Sequence, residues 1–543
     1  ARIKYREPTM KTHSTDSPGS SVNHRYRIPT MDAPAIMIRY LGCILFGWFF
    51  IQSLSGQYYE SGQDPASLKW AQLETPHFKV IYPVTFANEG HRLANILEHA
   101  HSLVPVALDH PPRKISVIVH NHSVESNGFV AWAPKRMELY PTPVADAYPQ
   151  DELEQLVLHE LRHVVQIDKL NQGFTRALFF GLGEQGIGVV SAMLPLWFLE
   201  GDAVVAETEL SNAGRGRYPE FSMKLRALSI ENDAFFKYDK MWFGSYRDFT
   251  PNYYEFGYQM VSYAGHRHSY DIWKGALDWT ARKPFTLNPV NLNLRRYDQL
   301  TKKRLYDSTF QYLRQAWKWQ DDRISTSAFD TLNTRSTDTY TSYRFPQYVG
   351  DHQWLCEKSG IDQVPQLILI DSAGQEEVVH TPGFYHRSKF SCSGNQVVWV
   401  EQIPHIRWEN QRYSVIKKLD LDTRQETTLT RKSRYFSPDL SDDARRVAVV
   451  QIDLESRCEL AILDAFTGEQ INSFRITGNN SLHMPEWIDE RTILVLVIDD
   501  QGKSIRTIDI ETGIWTTLLP PGYVDIRNVI AHPSHVLFHA TYS

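Results

Sequence analysis

Four segments of this chain each end an apolar strand pattern with an acidic turn: Ile370-Asp-Ser-Ala-Gly374, Leu419-Asp-Leu-Asp-Thr423, Leu463-Asp-Ala-Phe-Thr-Gly468 and Ile508-Asp-Ile-Glu-Thr-Gly513. Their aspartates, Asp371, Asp420, Asp464 and Asp509, stand 49, 44 and 45 residues apart. A repeat of that length is a small folded unit that cannot bury its own apolar faces, so its core has to come from stacking against its neighbours. A period of about 45 residues belongs to the four-stranded blade of a propeller. Residues 320–543 are therefore expected to form an all-β array of blades. Four units and a fragment are few for a closed ring, so the array reads as incomplete, with blades cut away or supplied elsewhere, or as an open stack. His535-Val-Leu-Phe-His-Ala540 reads as the first strand of a further blade.

The rest of the chain needs a core of its own, because 543 residues exceed what a single core holds. A formal net charge of −6, from 57 basic and 63 acidic residues, leaves no excess with which to hold a phosphate backbone, and this argues against a nucleic-acid partner. The four cysteines form no Cys-x-x-Cys pair that would point to a thiolate metal site. Residues 1–56 read as a leader in which the apolar run 41–54 is a signal-peptide core, Arg39 its positive flank, and Ser53-Leu-Ser-Gly-Gln57 the cleavage region. An uncleaved anchor helix is the alternative.

Between residues 57 and 319 strand and helix patterns alternate as in an α+β domain. Phe78-Lys-Val-Ile-Tyr82 and Ile115-Ser-Val-Ile-Val119 read as strands, with an amphipathic helix over 89–108 between them. A further helix, beginning near Gln150, carries Leu156-Val-Leu-His-Glu-Leu-Arg-His-Val-Val-Gln166. His159 and His163 are four residues apart, which puts both imidazoles on one helix face within reach of one metal ion, with Glu160 beside the first as a general base. An exposed face carrying two histidines is the rival reading. The apolar flanks (Leu156, Val157, Leu158, Leu161, Val164, Val165) count against it, because a buried helix makes polar side chains costly unless something satisfies them. Zinc needs a third protein ligand, and Leu194-Pro-Leu-Trp-Phe-Leu-Glu-Gly-Asp-Ala-Val-Val-Ala-Glu-Thr208 offers candidates.

HExxH followed by Trp197-x-x-Glu200-Gly201-x-Ala203 resembles the gluzincin metallopeptidases. The resemblance implies a zincin-like fold, bound zinc, and Glu200 as the third ligand. It also implies that Glu207, seven residues on, holds a zinc histidine in the ligating tautomer. Asn252-Tyr-Tyr-Glu-Phe-Gly-Tyr258 resembles the family's Tyr-Glu-x-Gly element, which makes Tyr254 the residue that stabilises an oxyanion, with Tyr253 and Tyr258 as neighbouring alternatives. The chain departs from the compact gluzincins in the 36 residues between His163 and Glu200, and the motif that reads a free amino end is missing. The apolar, Gly-rich stretch 177–194 within that gap is expected to be a buried helix and glycine loop behind the site. The rival is a substrate-gating or membrane-touching insertion, which would make the protein a peripheral membrane partner. Asn127-Gly-Phe-Val-Ala-Trp-Ala-Pro-Lys-Arg-Met-Glu-Leu-Tyr140 reads as an edge strand blunted by Pro134, placed to pair with an extended peptide. Arg215, in Arg215-Gly-Arg-Tyr-Pro-Glu220, either closes the site or forms a loop salt bridge, and Asp168 is left outside the site.

Ser437-Pro-Asp-Leu-Ser-Asp-Asp-Ala-Arg-Arg-Val-Ala-Val-Val450 resembles the turn-and-strand signature of TolB-type propellers, with Leu440 in place of the usual glycine. Over residues 70–543 the arrangement resembles exported bacterial proteins that join a gluzincin-like peptidase domain to such a propeller. That resemblance implies zinc-dependent hydrolysis of a peptide or protein in the periplasm, cell envelope or medium, with the propeller recruiting substrate or a protein partner. The alternative is a non-catalytic envelope scaffold with a structural or relic zinc site.

Overall fold

A computed structural model describes residues 62–144, 147–231, 235–286, 288–333, 339–384 and 389–541, so the leader expected over 1–56 lies outside the described residues. Alternating burial in Phe78–Pro83 and Ile115–Val119 follows from the apolar residues at every second position, which all point to one face of a sheet. Those strands, β2 and β3, join β1 (Trp70–Glu74), β4 (Ser126–Trp132) and β5 (Lys135–Pro141) in the order β1-β2-β3-β5-β4. The inner three are parallel; β1 and β4 run antiparallel at the edges. Residues 127–140, expected as one strand, are thus the β4–β5 hairpin, and Pro134 sits in its turn, where no ladder N–H is needed.

Helix α1 (Ala87–Leu103) crosses between β2 and β3 and buries Leu93, Leu97 and Ala100. It is shorter than the expected 89–108 because Pro105 has no N–H to continue the ladder, and residues 106–108 form a separate tight turn. The helices that follow are α2 (Glu152–Lys169), α3 (Gly173–Leu182), α4 (Glu184–Ser191), α5 (Leu196–Glu209), α6 (Pro219–Glu231), α7 (Tyr238–Phe243), α8 (Tyr253–His268), α9 (Asp271–Arg282), α10 (Pro289–Leu294) and α11 (Lys302–Asp321). Asp151 caps α2 by accepting from the Glu154 N–H, and Asn252 with Glu255 forms a capping box on α8.

Helices α5 and α8 cross at two glycines. A Cβ on Gly257 would lie 1.8 Å from the Trp197 carbonyl oxygen, and one on Gly201 would lie 2.2 Å from the Gly257 carbonyl carbon. Any larger residue would separate the helices that carry Glu200 and Tyr254.

The 177–194 stretch departs from expectation. It forms α3 and α4, joined at Gly183; Ile187 and Val190 are buried, but Phe180, Leu182, Val189 and Met193 face outward. The apolar content that reads as a core helix is divided between a seated side and a bare one.

Beyond α11 the strands of the described residues pair antiparallel. Four sheets of four strands follow in chain order, then one of two. Asp371, Asp420, Asp464 and Asp509 each end the third strand of a four-stranded sheet. Each carboxylate accepts from backbone N–H groups of the next turn, as Asp464 does from Phe466 (2.9 Å) and Thr467 (2.7 Å). The repeat visible in the sequence is this turn. Faces alternate strictly: Val447 and Val449 pack toward the preceding sheet, Ala448 and Val450 toward the following one. Ile493 and Val495 against Leu494 and Leu496 repeat the pattern one sheet on. Buried on both sides, these strands read as continuous apolar runs.

Two local readings change. Ser437-Pro-Asp-Leu440 lies inside a strand, at a bulge that tolerates Pro438, and the turn comes after it. His535–Ala540 is the second strand of the last sheet, paired with Ile526–His532, not the first of another. Gly62–Ser543 forms one compact unit. Arg434 donates to the Ser123 carbonyl (2.9 Å) and the Thr142 hydroxyl (3.0 Å), and Val124 joins the core between the third and fourth sheets.

Candidate metal centre

Helix α2 is buried on most sides, and its buried residues include His159, Glu160, Arg162 and Gln166. His159 and His163, one turn apart, meet Glu200 from α5. The His159 and His163 Nε2 atoms are 3.3 Å apart, and Glu200 Oε2 lies 3.3 and 3.2 Å from them. A tetrahedral zinc bound at about 2.0–2.1 Å spaces its donors about 3.3–3.4 Å apart, so this triangle has the dimensions of one face of such a site. Two imidazoles and a carboxylate are a donor set that zinc accepts, and one face leaves the fourth position for water.

Each ligand is held from behind. His159 Nδ1 lies 2.9 Å from Glu207 Oε2 and 2.8 Å from Arg215 Nη2, which turns Nε2 toward the triangle. Glu207 is fully buried and also accepts from Arg215: Oε1 from the backbone N–H (3.1 Å) and Nε (2.7 Å), Oε2 from Nη2 (2.7 Å). Burial pushes the Glu207 carboxyl up, but the Arg215 charge and hydrogen bonds outweigh it and hold it at about 2. His163 Nδ1 donates to Gln166 Oε1 (3.0 Å), and Gln166 donates to Asp202 (2.7 Å), itself clamped by Arg162 (2.7 and 2.8 Å). Burial would lower His163, but hydrogen bonding to Glu200 and its charge push it up to about 9. Burial likewise raises Glu200, and its hydrogen bonds from both histidines outweigh this and hold it well below the usual carboxylate range.

Glu160 differs from these groups. It is buried, its Oε2 has no hydrogen-bond partner among the described residues, and desolvation raises its carboxyl above the ordinary value. Its room comes from Gly128 on β4, where a Cβ would lie 2.6 Å from Glu160 Cγ. Tyr254 enters from the first turn of α8. Its ring lies 6.0 Å from that of His159 and 5.0 Å from the Arg215 guanidinium, and burial raises its phenol, which stays a donor. A cleft of about 230 Å³ is lined by Asn127 and Gly128 of the edge strand, Tyr148, His159, Glu160 and Tyr254. Tyr253 is partly exposed, and Tyr258 donates to the Gly216 carbonyl (3.3 Å). Asp168 is buried in ion pairs with Arg113 (2.8 Å) and Lys135 (3.1 Å).

Gly128, Gln166, Asp202 and Arg162 carry no mark of function in the sequence. Gln166 sits at the helical i+3 spacing from His163, which could have flagged it; the others act across distant segments.

The fold and donor set define a class: an α-rich domain with a cluster of three donors that could hold a metal ion, followed by stacked antiparallel sheets. No protein-family model and no curated protein sequence matches the chain. Structures similar to it include TolB-type β-propeller proteins. One is a putative TolB from Agrobacterium tumefaciens, with 13% identity over 35% of this chain and 72% of that one and a TM-score of 0.27. Another is TolB from Acinetobacter baumannii, with 16% identity over 37% and 52% and a TM-score of 0.29. An acylaminoacyl peptidase from Pyrococcus horikoshii matches at 11% identity over 37% of this chain and 35% of that one, with a TM-score of 0.27. The gluzincin resemblance finds no counterpart among these three, and the fold described above rests on its own strand order.

Proposed function

We propose that this protein is a zinc-dependent peptide-bond hydrolase, acting on an extended peptide or protein segment in the bacterial periplasm, cell envelope or medium. What carries the reading is the His159, His163 and Glu200 triangle with Glu160, next to His159 on the same helix, lining the cleft beside it. Zinc held by those three residues supplies Lewis-acid polarisation and a water of lowered pKa. Glu160, its carboxyl raised by burial, takes the proton from the attacking water and passes it to the leaving amine nitrogen. Tyr254 donates to the oxyanion that forms as the carbonyl is attacked. Edge strand β4 lies along the cleft where an extended substrate could pair with it, and Gly128, lacking a Cβ, lets Glu160 sit directly against that strand. Arg215, through Glu207, fixes the His159 ring. The sheets of the C-terminal half select the substrate or a protein partner.

A structural zinc site in an envelope scaffold is the second reading. It gives no role to the Glu160 carboxylate that lines the same cleft as His159 and Tyr254. Metal analysis of the full chain, together with cleavage of a peptide library with and without chelator, separates the two. Zinc with chelator-sensitive cleavage supports hydrolysis, and zinc without cleavage supports the scaffold. His163→Ala is expected to lose metal and cleavage together.

A further inference from the structure

Helices α3 and α4 present an apolar surface that nothing in the described fold covers. Phe180 is 78% exposed, Leu182 57%, Val189 63% and Phe285 66%. Phe174 of α3 meets Phe285 edge-on at 5.8 Å, and Gly186 of α4 seats directly on Leu178 of α3. Such a surface requires a cover. With 10 and 8 residues, the helices are too short to cross a bilayer. Among the described residues no single helix is long and apolar enough to do so. The bent pair α4–α5 has the composition of a span, but α5 is largely buried and carries Glu200. This leaves a hairpin that lies along a surface.

Charge identifies the surface. Arg176 projects from α3, and Arg282 and Lys283 end α9 beside it, with the Arg282 side chain against Gly173. Arg296 and Lys283 flank Trp279 at 5.1 and 4.7 Å. The nearby carboxylates are already engaged. Asp278 holds Lys169 (3.1 Å) and Gln172 (2.7 Å), Asp168 holds Arg113, and Glu184 accepts from the Lys135 backbone N–H (2.8 Å). Exposed phenylalanine and leucine rimmed by cations match a bilayer interface that carries anionic headgroups.

We infer that the α3–α4 hairpin docks this protein on an anionic lipid surface, with Phe180 and Leu182 inserted at the acyl boundary and Arg282 and Lys283 on headgroup phosphates. The inference is independent of the hydrolase reading. Because α4 packs on β4, the metal cleft is held near the membrane plane. Co-sedimentation of the full chain with phosphatidylglycerol–phosphatidylcholine vesicles, against phosphatidylcholine alone, tests it. Binding is expected only to the anionic vesicles and is expected to fall with salt. Phe180→Asp with Leu182→Asp should weaken it by at least about tenfold. Arg282→Glu with Lys283→Glu should remove the salt-sensitive part, and carries the test should the first pair unfold. Undiminished binding by both variants would place the contact elsewhere and overturn the inference. So would a failure to bind at low salt, or a dimer in light scattering that Phe180→Asp dissolves.

Discussion

At the residue scale, Gly128 and Glu160 make complementary demands. Gly128 gives way to Glu160, so Gly128→Ala forces a methyl into the space of its Cγ. Cleavage is expected to fall roughly tenfold to a hundredfold with zinc content unchanged, because misplacement by a fraction of an ångström costs rate before it costs binding. Metal analysis beside a rate measurement checks this; a drop in zinc would assign Gly128 to the fold instead. His159 and His163 are legible in the sequence because helical spacing is local, and i to i+4 needs no knowledge of the rest of the fold. Gly128 is not, since its reason is a side chain 32 positions away. Arg215 is legible only as one of two alternatives, and its bidentate grip on Glu207 decides between them in favour of an ion pair that supports the site.

At the scale of elements, the crossing of α5 and α8 is set by Gly201 and Gly257. Gly257→Ala would drive a methyl into the Trp197 carbonyl, and overpacking of this kind costs about 1–3 kcal/mol. Denaturant unfolding should show the loss, accompanied by weaker zinc retention as Glu200 moves away from the histidines; unchanged stability would mean that the helices part freely. The Asp-ended turns are readable in the sequence because each is a local cap, whereas the strand partner of 535–540 is not, since pairing is decided between segments. The 177–194 stretch misleads for a related reason. Apolar composition indicates that a helix wants covering, and cannot by itself say whether the cover is the protein's own core.

At the scale of the whole molecule, a buried ionic knot ties the α-rich half to the sheets. His120 lies between Asp64 (3.1 Å) and Glu138 (2.9 Å), and Asn410, from the second of the C-terminal sheets, donates to Asp64 (2.9 Å) and accepts from Tyr140 (3.0 Å). Burial lowers the His120 imidazole, but its bonds to Asp64 and Glu138 and their charges outweigh this and hold it up to about 9. A raised histidine stabilises the fold fully below its unfolded value of 6.5, and the contribution fades as pH rises through about 9. Unfolding free energy should therefore decline between those limits by up to about 3 kcal/mol, and His120→Gln should flatten the slope. An unchanged slope would remove His120 from the account.

The central claim is that the site hydrolyses through Glu160 and does not merely bind metal, so the deciding measurement is peptide-library cleavage by full-length Glu160→Gln with its zinc content determined on the same sample. Retention of one zinc per chain with cleavage lost by at least about a hundredfold is the predicted result. Cleavage at the parent rate, with zinc in place, would contradict it.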